Sequence, residues 1–309
     1  MKHILFVLAG AISYGLLSTF VKKAYESGFH VGEVVGSQNL FGVVMLWTMV
    51  LATAKSARAD LTQNTFKVAP SQALKLMAVG TASGLTGMLY YAALQYIPAS
   101  FSIILLFQFT WMGILLEAII ERKRPGKDKI ISLLILFVGI IMASGFVGGT
   151  HEATSWIGIA LGLLSAVTYT MFISLSGKVE NHIAPITRSA IMQSGSFVLV
   201  MLVFPPHFLV NGALHQELLP WALLLALFGA VIPPLFFAIG VPRIGGGLAT
   251  ILSAAELPAA VLMSFVVLNE SVHWLQWLGV AVTMFGISLP ELMKRRKNRQ
   301  AIISAKITV

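Results

Sequence analysis

One carboxylate, Glu256, stands alone among the apolar and small residues that run from 246 to 268. If that run is a helix, Glu256 lies about eleven residues from its start, near the middle of a span of roughly 23 residues, which would cross a bilayer at about 1.5 Å per residue. A side chain at that depth cannot snorkel to either interface. Groups of this kind carry a proton, pair with another group or face a wet cavity, because a charged Asp at a helix centre costs about 2.5 to 3.5 kcal/mol to insert. Glu256 can therefore act as a proton carrier between the two faces of a membrane, or as the polar anchor of a solute site. The alternative is a neutral carboxyl hydrogen-bonded to a neighbouring helix.

Other residues fit the same chemistry. Pro258 follows two positions later and removes a backbone donor, freeing a carbonyl in the preceding turn. Pro233 and Pro234 do the same near the middle of the run from 218 to 241. Such breaks are tolerated at membrane depth where protein groups or water satisfy the released backbone, so the three prolines read either as hinges beside a cavity or as fixed packing kinks. Gln108 and Trp111, three residues apart, share a helix face. An amide and a large aromatic on one face can bind a solute with a polar head and an apolar body; they can equally serve packing and interhelical hydrogen bonding. Tyr14, Tyr90, Tyr91, Tyr169, Gln38, Asn39, Ser165 and Gln193 are further candidates to line the same cavity. Arg243, just before Gly245-Gly246-Gly247, reads as a cytoplasmic gate or as an orientation anchor.

The elements that must hold these residues are about ten apolar stretches, near 4–24, 32–54, 72–96, 98–120, 129–148, 156–176, 184–207, 218–241, 246–268 and 273–292. The fold class is an all-α polytopic membrane protein of ten transmembrane helices. Of the 21 Lys and Arg residues, only Lys22 and Lys23 fall outside one set of alternating loops. The positive-inside bias then places both termini in the cytoplasm. Only 11% of residues are charged and 57% are hydrophobic, against about 25% charged in soluble domains, so no sizeable water-soluble domain is expected. The net charge of +9 sits at membrane boundaries without a nucleic-acid motif and suits anionic lipid head groups better than nucleic acid. The first stretch is longer than a signal peptide's apolar region and reads as retained.

Several chemistries find no residues. His151-Glu152 lacks a second His at metalloprotease spacing, the seven histidines form no ligand-like pairs, and no phosphate-binding Gly-rich loop ends in Lys. No metal, cofactor or direct use of ATP is expected. Trp156, Trp221, Trp274 and Trp277 lie near span boundaries as an interfacial belt. Gly80 with Gly84, and Gly158 with Gly162, have the spacing of close helix approach, although 27 glycines make such pairs common.

Two halves of five spans each must enter the membrane from opposite sides, so any internal repeat is inverted. Landmarks recur in order: Ser13-Tyr14 with Ser165 and Tyr169, Leu89-Tyr90-Tyr91-Ala92 with Leu235-Phe236-Phe237-Ala238, Glu121 with Glu270, and Gly139-Ile140 with Gly286-Ile287. The expected division is residues 1–150 and 151–293 as the two repeats, with 294–309 as a basic cytoplasmic tail. Inverted repeats around a midplane site are a recurring design of secondary transporters.

From Leu5 to about Leu292 the chain resembles the drug/metabolite transporter superfamily, specifically its ten-helix members built from two EamA-type repeats. The resemblance rests most firmly on the run from Tyr90 through Leu94, Pro98 and Ala99 to Ser100, and on Glu256-Leu257-Pro258 followed by Asn269-Glu270. Leu257 separates the Glu-Pro pair of the family pattern, and Asn269 stands at its usual Gly. The resemblance implies a cavity lined by the first four and the sixth to ninth helices, with the fifth and tenth peripheral. It implies export of a small organic metabolite or drug through the cell membrane by alternating access, with Glu256 the carboxylate for any proton coupling. The carboxylate that small multidrug members carry in their first helix is absent here, since no Asp or Glu precedes Glu26. A passive channel and a membrane-embedded enzyme are the alternatives; the latter needs a concentrated polar catalytic set that one deep carboxylate does not supply. Expected partners are the small-molecule solute and the lipid bilayer, with a homodimer compatible with the pattern.

Overall fold

The computed structural model describes residues 2–57, 68–93, 95–97, 99–145, 155–269 and 271–307. Leu94, Pro98, Glu270, His151-Glu152 and the expected boundary between residues 150 and 151 lie outside them. Among the described residues every regular element is helical and no strand occurs. The order is α1 (Lys2–Glu26), α2 (Val31–Ala57), α3 (Pro70–Ala93), α4 (Ala99–Leu106), α5 (Phe109–Glu121), α6 (Lys127–Ala143), α7 (Trp156–Ser176), α8 (Pro185–Val203), α9 (Leu219–Leu225), α10 (Ile232–Ile244), α11 (Gly246–Ser253), α12 (Glu256–Val267) and α13 (Trp274–Ile307). A helix satisfies its own backbone, which is what an apolar run in a membrane must do.

Among the described residues, eight stretches are long and apolar enough to cross a membrane: Lys2–Glu26, Val31–Ala54, Phe101–Glu121, Trp156–Ser176, Pro185–Val203, Leu219–Ile244, Gly246–Val267 and Trp274–Met293. The chain is a multi-pass membrane protein. Two of the ten apolar stretches expected from sequence are not among the eight. α6 has 17 residues, about 26 Å of helix. α3 is long enough, but Ser71, Gln72, Lys75, Thr81, Ser83 and Thr86 dilute it.

Three of these stretches are irregular, each for a local reason. Between α11 and α12, Pro258 has no N–H to offer the Ala254 carbonyl, which takes the Leu257 N–H at 3.2 Å instead, and the turn tightens through Ala254 and Ala255. Between α9 and α10, Pro233 and Pro234 follow a wider π-type turn at Ala226–Val231. The Phe228 carbonyl released there accepts the Ser13 hydroxyl of α1 at 2.7 Å. Between α4 and α5 no proline is present. The chain tightens at Phe107-Gln108, and the Gln108 side-chain amide donates back to the Ile104 carbonyl at 2.9 Å.

The two halves interleave. α1 lies on α10 and α12, α3 on α7 and α8, and α5 on α11, while α6 and α13 pair with each other at the side. The α3–α8 approach is close enough that a Cβ on Gly80 would strike the Met192 backbone, and one on Gly195 the Met77 backbone. Gly80 and Gly84 therefore serve as a contact surface. Phe109, Phe172, Ile173, Phe237 and Ile251 are fully buried and fill the middle of the bundle.

Candidate functional site

α12 begins with Glu256 because the Pro258 break falls just before it. The break turns the carboxyl toward α1, α3 and α7. Gly15 of α1 lies directly against the Glu256 backbone carbonyl, so α1 carries Tyr14 past the same level. From there a cavity of about 550 Å³ runs toward the end of the bundle where α1 turns into α2, reaching Lys22 and Tyr25 on α1 and Leu268, Ser271 and Gln276 around the α12–α13 link. That volume lies within the roughly 300 to 1,000 Å³ of small-molecule sites.

Tyrosines dominate the aromatic lining. Tyr14, Tyr25, Tyr90, Tyr91 and Tyr169 border the cavity, five of the chain's six, whereas none of its six tryptophans is among the described lining residues. The Tyr169 hydroxyl donates to Glu256 Oε2 at 3.3 Å. Tyr14 and Tyr169, landmarks at matching places in the two sequence halves, meet edge to face with ring centroids 5.9 Å apart. Tyr169 is braced from behind by Phe109 at 4.8 Å, and Tyr91 lies between Tyr90 at 6.1 Å and Tyr25 at 6.3 Å.

Members of the polar wall opposite bond one another. Asn39 Oδ1 accepts from Gln193 Nε2 at 2.9 Å and from the Ser196 hydroxyl at 2.8 Å, while Asn39 Nδ2 donates to the Val35 carbonyl at 2.9 Å. The Thr86 and Thr168 hydroxyls, 2.8 Å apart, bond α3 to α7. Gln38 borders the cavity beside Gly229 of the π-type turn.

The structure thus gathers Glu256, Tyr14, Tyr90, Tyr91, Tyr169, Gln38, Asn39 and Gln193 around one space. It leaves Gln108 and Trp111 out of that lining. Trp111 Nε1 donates to Gln108 Oε1 at 2.9 Å, so the pair closes on itself and caps the α4–α5 break. Ser165 is fully buried and donates to the Gly162 carbonyl, also away from the cavity. Pro233, Pro234 and Pro258 are not lining residues themselves, but Gly229 and Ala230, whose carbonyls Pro233 and Pro234 leave without a helical donor, are.

Arg243 is exposed at the opposite end of the bundle, where α10 turns into α11. That end is shut. Glu117 of α5 pairs with Lys129 of α6 and lies against Gly245 and Gly247 at the start of α11. Gly245 has a φ of +85°, and any Cβ on Gly247 would overlap the carboxylate, so the glycines let α5 and α11 close. On the same side Glu180, in the α7–α8 link, is held by Lys75 at 3.4 Å and Gln72 at 3.1 Å of α3. Arg188, counted with the loop cations by sequence, is 1% exposed and donates to the Ser176 carbonyl at the end of α7, where the helix dipole favours a cation.

Sequence reading missed Tyr25, Ser83, Thr86, Ser196 and Gln276 in the lining. Tyr25 was within reach: it follows Tyr14 by eleven residues, three helical turns, with Ser18 and Val21 on the same face. Small hydroxyls and a linker glutamine carry no comparable signal. Glu117 was hidden among the charges of a helix end.

The EamA-like transporter family model matches the chain twice, over residues 1–145 and 156–290. The chain is 22% identical to the uncharacterized transporter sll1319 of Synechocystis sp., over 94% of this chain and 93% of that protein. It is also 22% identical to the uncharacterized transporter YcbK of Bacillus subtilis, over 96% and 95% of the two chains. A solved crystal structure superposes with a TM-score of 0.74 at 16% identity, covering 93% of this chain and 98% of that one; that likeness speaks for the fold alone.

Proposed function

The chain belongs to the EamA-like transporter family, and we propose that it is a secondary transporter that exports a small organic metabolite or drug across the cell membrane by alternating access. The observation that carries this is a cavity of small-molecule size, seated between the two repeats, that reaches one end of the bundle above a filled middle and a shut opposite end. An open channel would need a path through both ends. A membrane enzyme would need catalytic partners beside Glu256, and its neighbours are tyrosines.

In this reading α3 and α6 join the eight long apolar stretches to give ten spans, and residues 1–150 and 151–293 form two inverted five-span repeats ahead of a basic tail at 294–309. The positive-inside bias places both termini and the shut end in the cytoplasm, so the cavity faces outward. Exchanging the conformations of the two repeats would open the α5–α11 end and close the other. The hinges are the breaks at Pro258 and at Pro233-Pro234, with Arg243 at the edge of the inner gate. Tyr14, Tyr90, Tyr169, Gln38, Asn39, Gln193 and Glu256 bind the solute, and Glu256 couples its movement to a proton moving the other way. Gln108 and Trp111, which sequence placed in the site, brace the α4–α5 break instead.

The test begins with a metabolite export and uptake screen on cells with and without the protein, followed by flux of the hit in liposomes. A carrier gives saturable flux and accelerated exchange when unlabelled solute is present on the far side. Flux that rises linearly with concentration and shows no such counterflow would replace the carrier with a channel.

A further inference from the structure

The lining narrows the chemistry of the solute. Glu256 is the acidic side chain among the described lining residues, and it stands where the two repeats meet, ringed by Tyr14, Tyr90, Tyr91 and Tyr169. Tyrosine faces carry the negative end of the ring quadrupole and attract cations, most strongly when both are removed from water. The hydrogen bond described for the carboxylate, from Tyr169 at 3.3 Å, is long for an O–H donor. A carboxyl group at this depth with so little protein support holds either a proton or a counter-charge, and a cationic solute supplies the counter-charge when the proton leaves.

The rest of the wall does not favour another class. An anion would have to approach Glu256 against its charge. The lining cation, Lys22, stands about two turns nearer the mouth on α1 and already has an interaction of its own. A polyhydroxylated solute would need several open amides, yet Asn39 Oδ1 already accepts from Gln193 Nε2 and Ser196 and Gln276 reaches the Ala143 carbonyl, which leaves Gln38 as the main amide on offer. What the cavity leaves to a solute is one acidic group, aromatic faces and apolar walls, with the Gln38 amide beside them.

We infer that the transported solute is a monovalent organic cation, a protonated amine or quaternary ammonium on an apolar or aromatic body, whose charged head seats on Glu256 inside the tyrosine ring. This rests on the transporter reading above, since it names the solute of that same cavity.

Four probes that share one body decide it: 2-phenylethylamine, trimethyl(2-phenylethyl)ammonium, the neutral 2-phenylethanol and the anionic 3-phenylpropionate, each titrated calorimetrically into the purified full-length protein. Both cations are expected to bind about tenfold more tightly than the alcohol, the scale of a desolvated cation–π and carboxylate contact, and the propionate more weakly than either. In Glu256→Gln the cations should fall to the affinity of the alcohol, whose own affinity should stay within about twofold. If Glu256→Gln does not fold, the order of the four probes on the unaltered protein still decides. Equal binding of cation and alcohol, tighter binding of the propionate, a cation preference that survives in Glu256→Gln, or no binding by any probe would overturn the inference. Its fate is separable from that of the transporter reading. Saturable counterflow of a neutral or anionic solute keeps the carrier and removes the cation site, whereas cation-selective binding without flux of any solute keeps the cation site and removes the carrier.

Discussion

In each region matched by the family model the fourth long helix is broken, as α4/α5 at Phe107-Gln108 and as α11/α12 at Ala254-Ala255. The causes and the uses differ. In the second repeat Pro258 removes the donor, backbone N–H groups rearrange to i→i−3 bonds, and the new helix begins with a carboxylate facing the cavity. In the first repeat the amide of Gln108 takes up the Ile104 carbonyl and holds Trp111, so the polar side chain at the break is consumed by the break. Two repeats of one family thus share a bend, but one uses it to deliver an acidic group and the other to stabilise itself. The lesson is that equivalent position in a duplicated frame fixes backbone shape, while the local donor balance decides whether a polar side chain is left for a ligand.

The largest effect expected from this contrast comes from Glu256→Gln. The substitution keeps the shape and the hydrogen bond to Tyr169 but cannot carry a proton, so proton-driven accumulation of the transported solute should fall by about tenfold or more, while thermal unfolding in detergent shifts little. The check is uptake into liposomes under an imposed pH gradient. Undiminished uphill transport would make Glu256 as structural as Gln108 and erase the contrast.

A middle effect belongs to the contact that joins the two broken helices. Glu117 of α5 is 11% exposed, pairs with Lys129 and lies against the glycines that start α11. Glu117→Gln weakens a partly buried ion pair by about 1 kcal/mol, which would raise the population open at that end roughly fivefold. Because the chain has no cysteine, Thr250→Cys, buried where α11 crosses Gly113 of α5, gives a clean reporter. Its maleimide labelling should quicken by that factor in the Glu117→Gln background. An unchanged rate would show that buried apolar contacts alone hold the α5–α11 crossing.

The contrast also explains what could be read from the sequence. Glu256 was legible because charge inside an apolar run admits few explanations, and Tyr14 with Tyr169 because landmarks at matching places in the two matched regions meet in the structure. The apolar stretches were legible because spanning length and hydropathy follow from bilayer thickness. Gln108 and Trp111 misled because a spacing of three says that two side chains share a face, not whether they face a cavity or each other. Glu117 and Arg188 were obscured for the opposite reason: near helix ends a charge has a ready explanation as an orientation anchor, and only the packing reveals that one lies against the glycines that start α11 and the other is buried against the Ser176 carbonyl. The α4–α5 break had no proline to announce it.

The smallest effect on transport, and the sharpest form of the comparison, is expected from Gln108→Ala. It removes the donor to the Ile104 carbonyl and the acceptor of Trp111 Nε1. Two neutral hydrogen bonds at about 1 kcal/mol each, with the Ile104 carbonyl left in an apolar setting, should cost about 2 kcal/mol of stability. Since neither residue is among the described residues bordering the cavity, flux at saturating solute should remain within about twofold of the unaltered protein at temperatures below unfolding. Glu256→Gln and Gln108→Ala therefore make a crossed pair, one losing transport while keeping stability and the other losing stability while keeping transport. Measuring both quantities on both variants tests the division of labour between the two breaks. A Gln108→Ala protein that unfolds at the usual temperature but has lost flux would place the amide in the solute path, and the asymmetry between the repeats would have to be sought elsewhere.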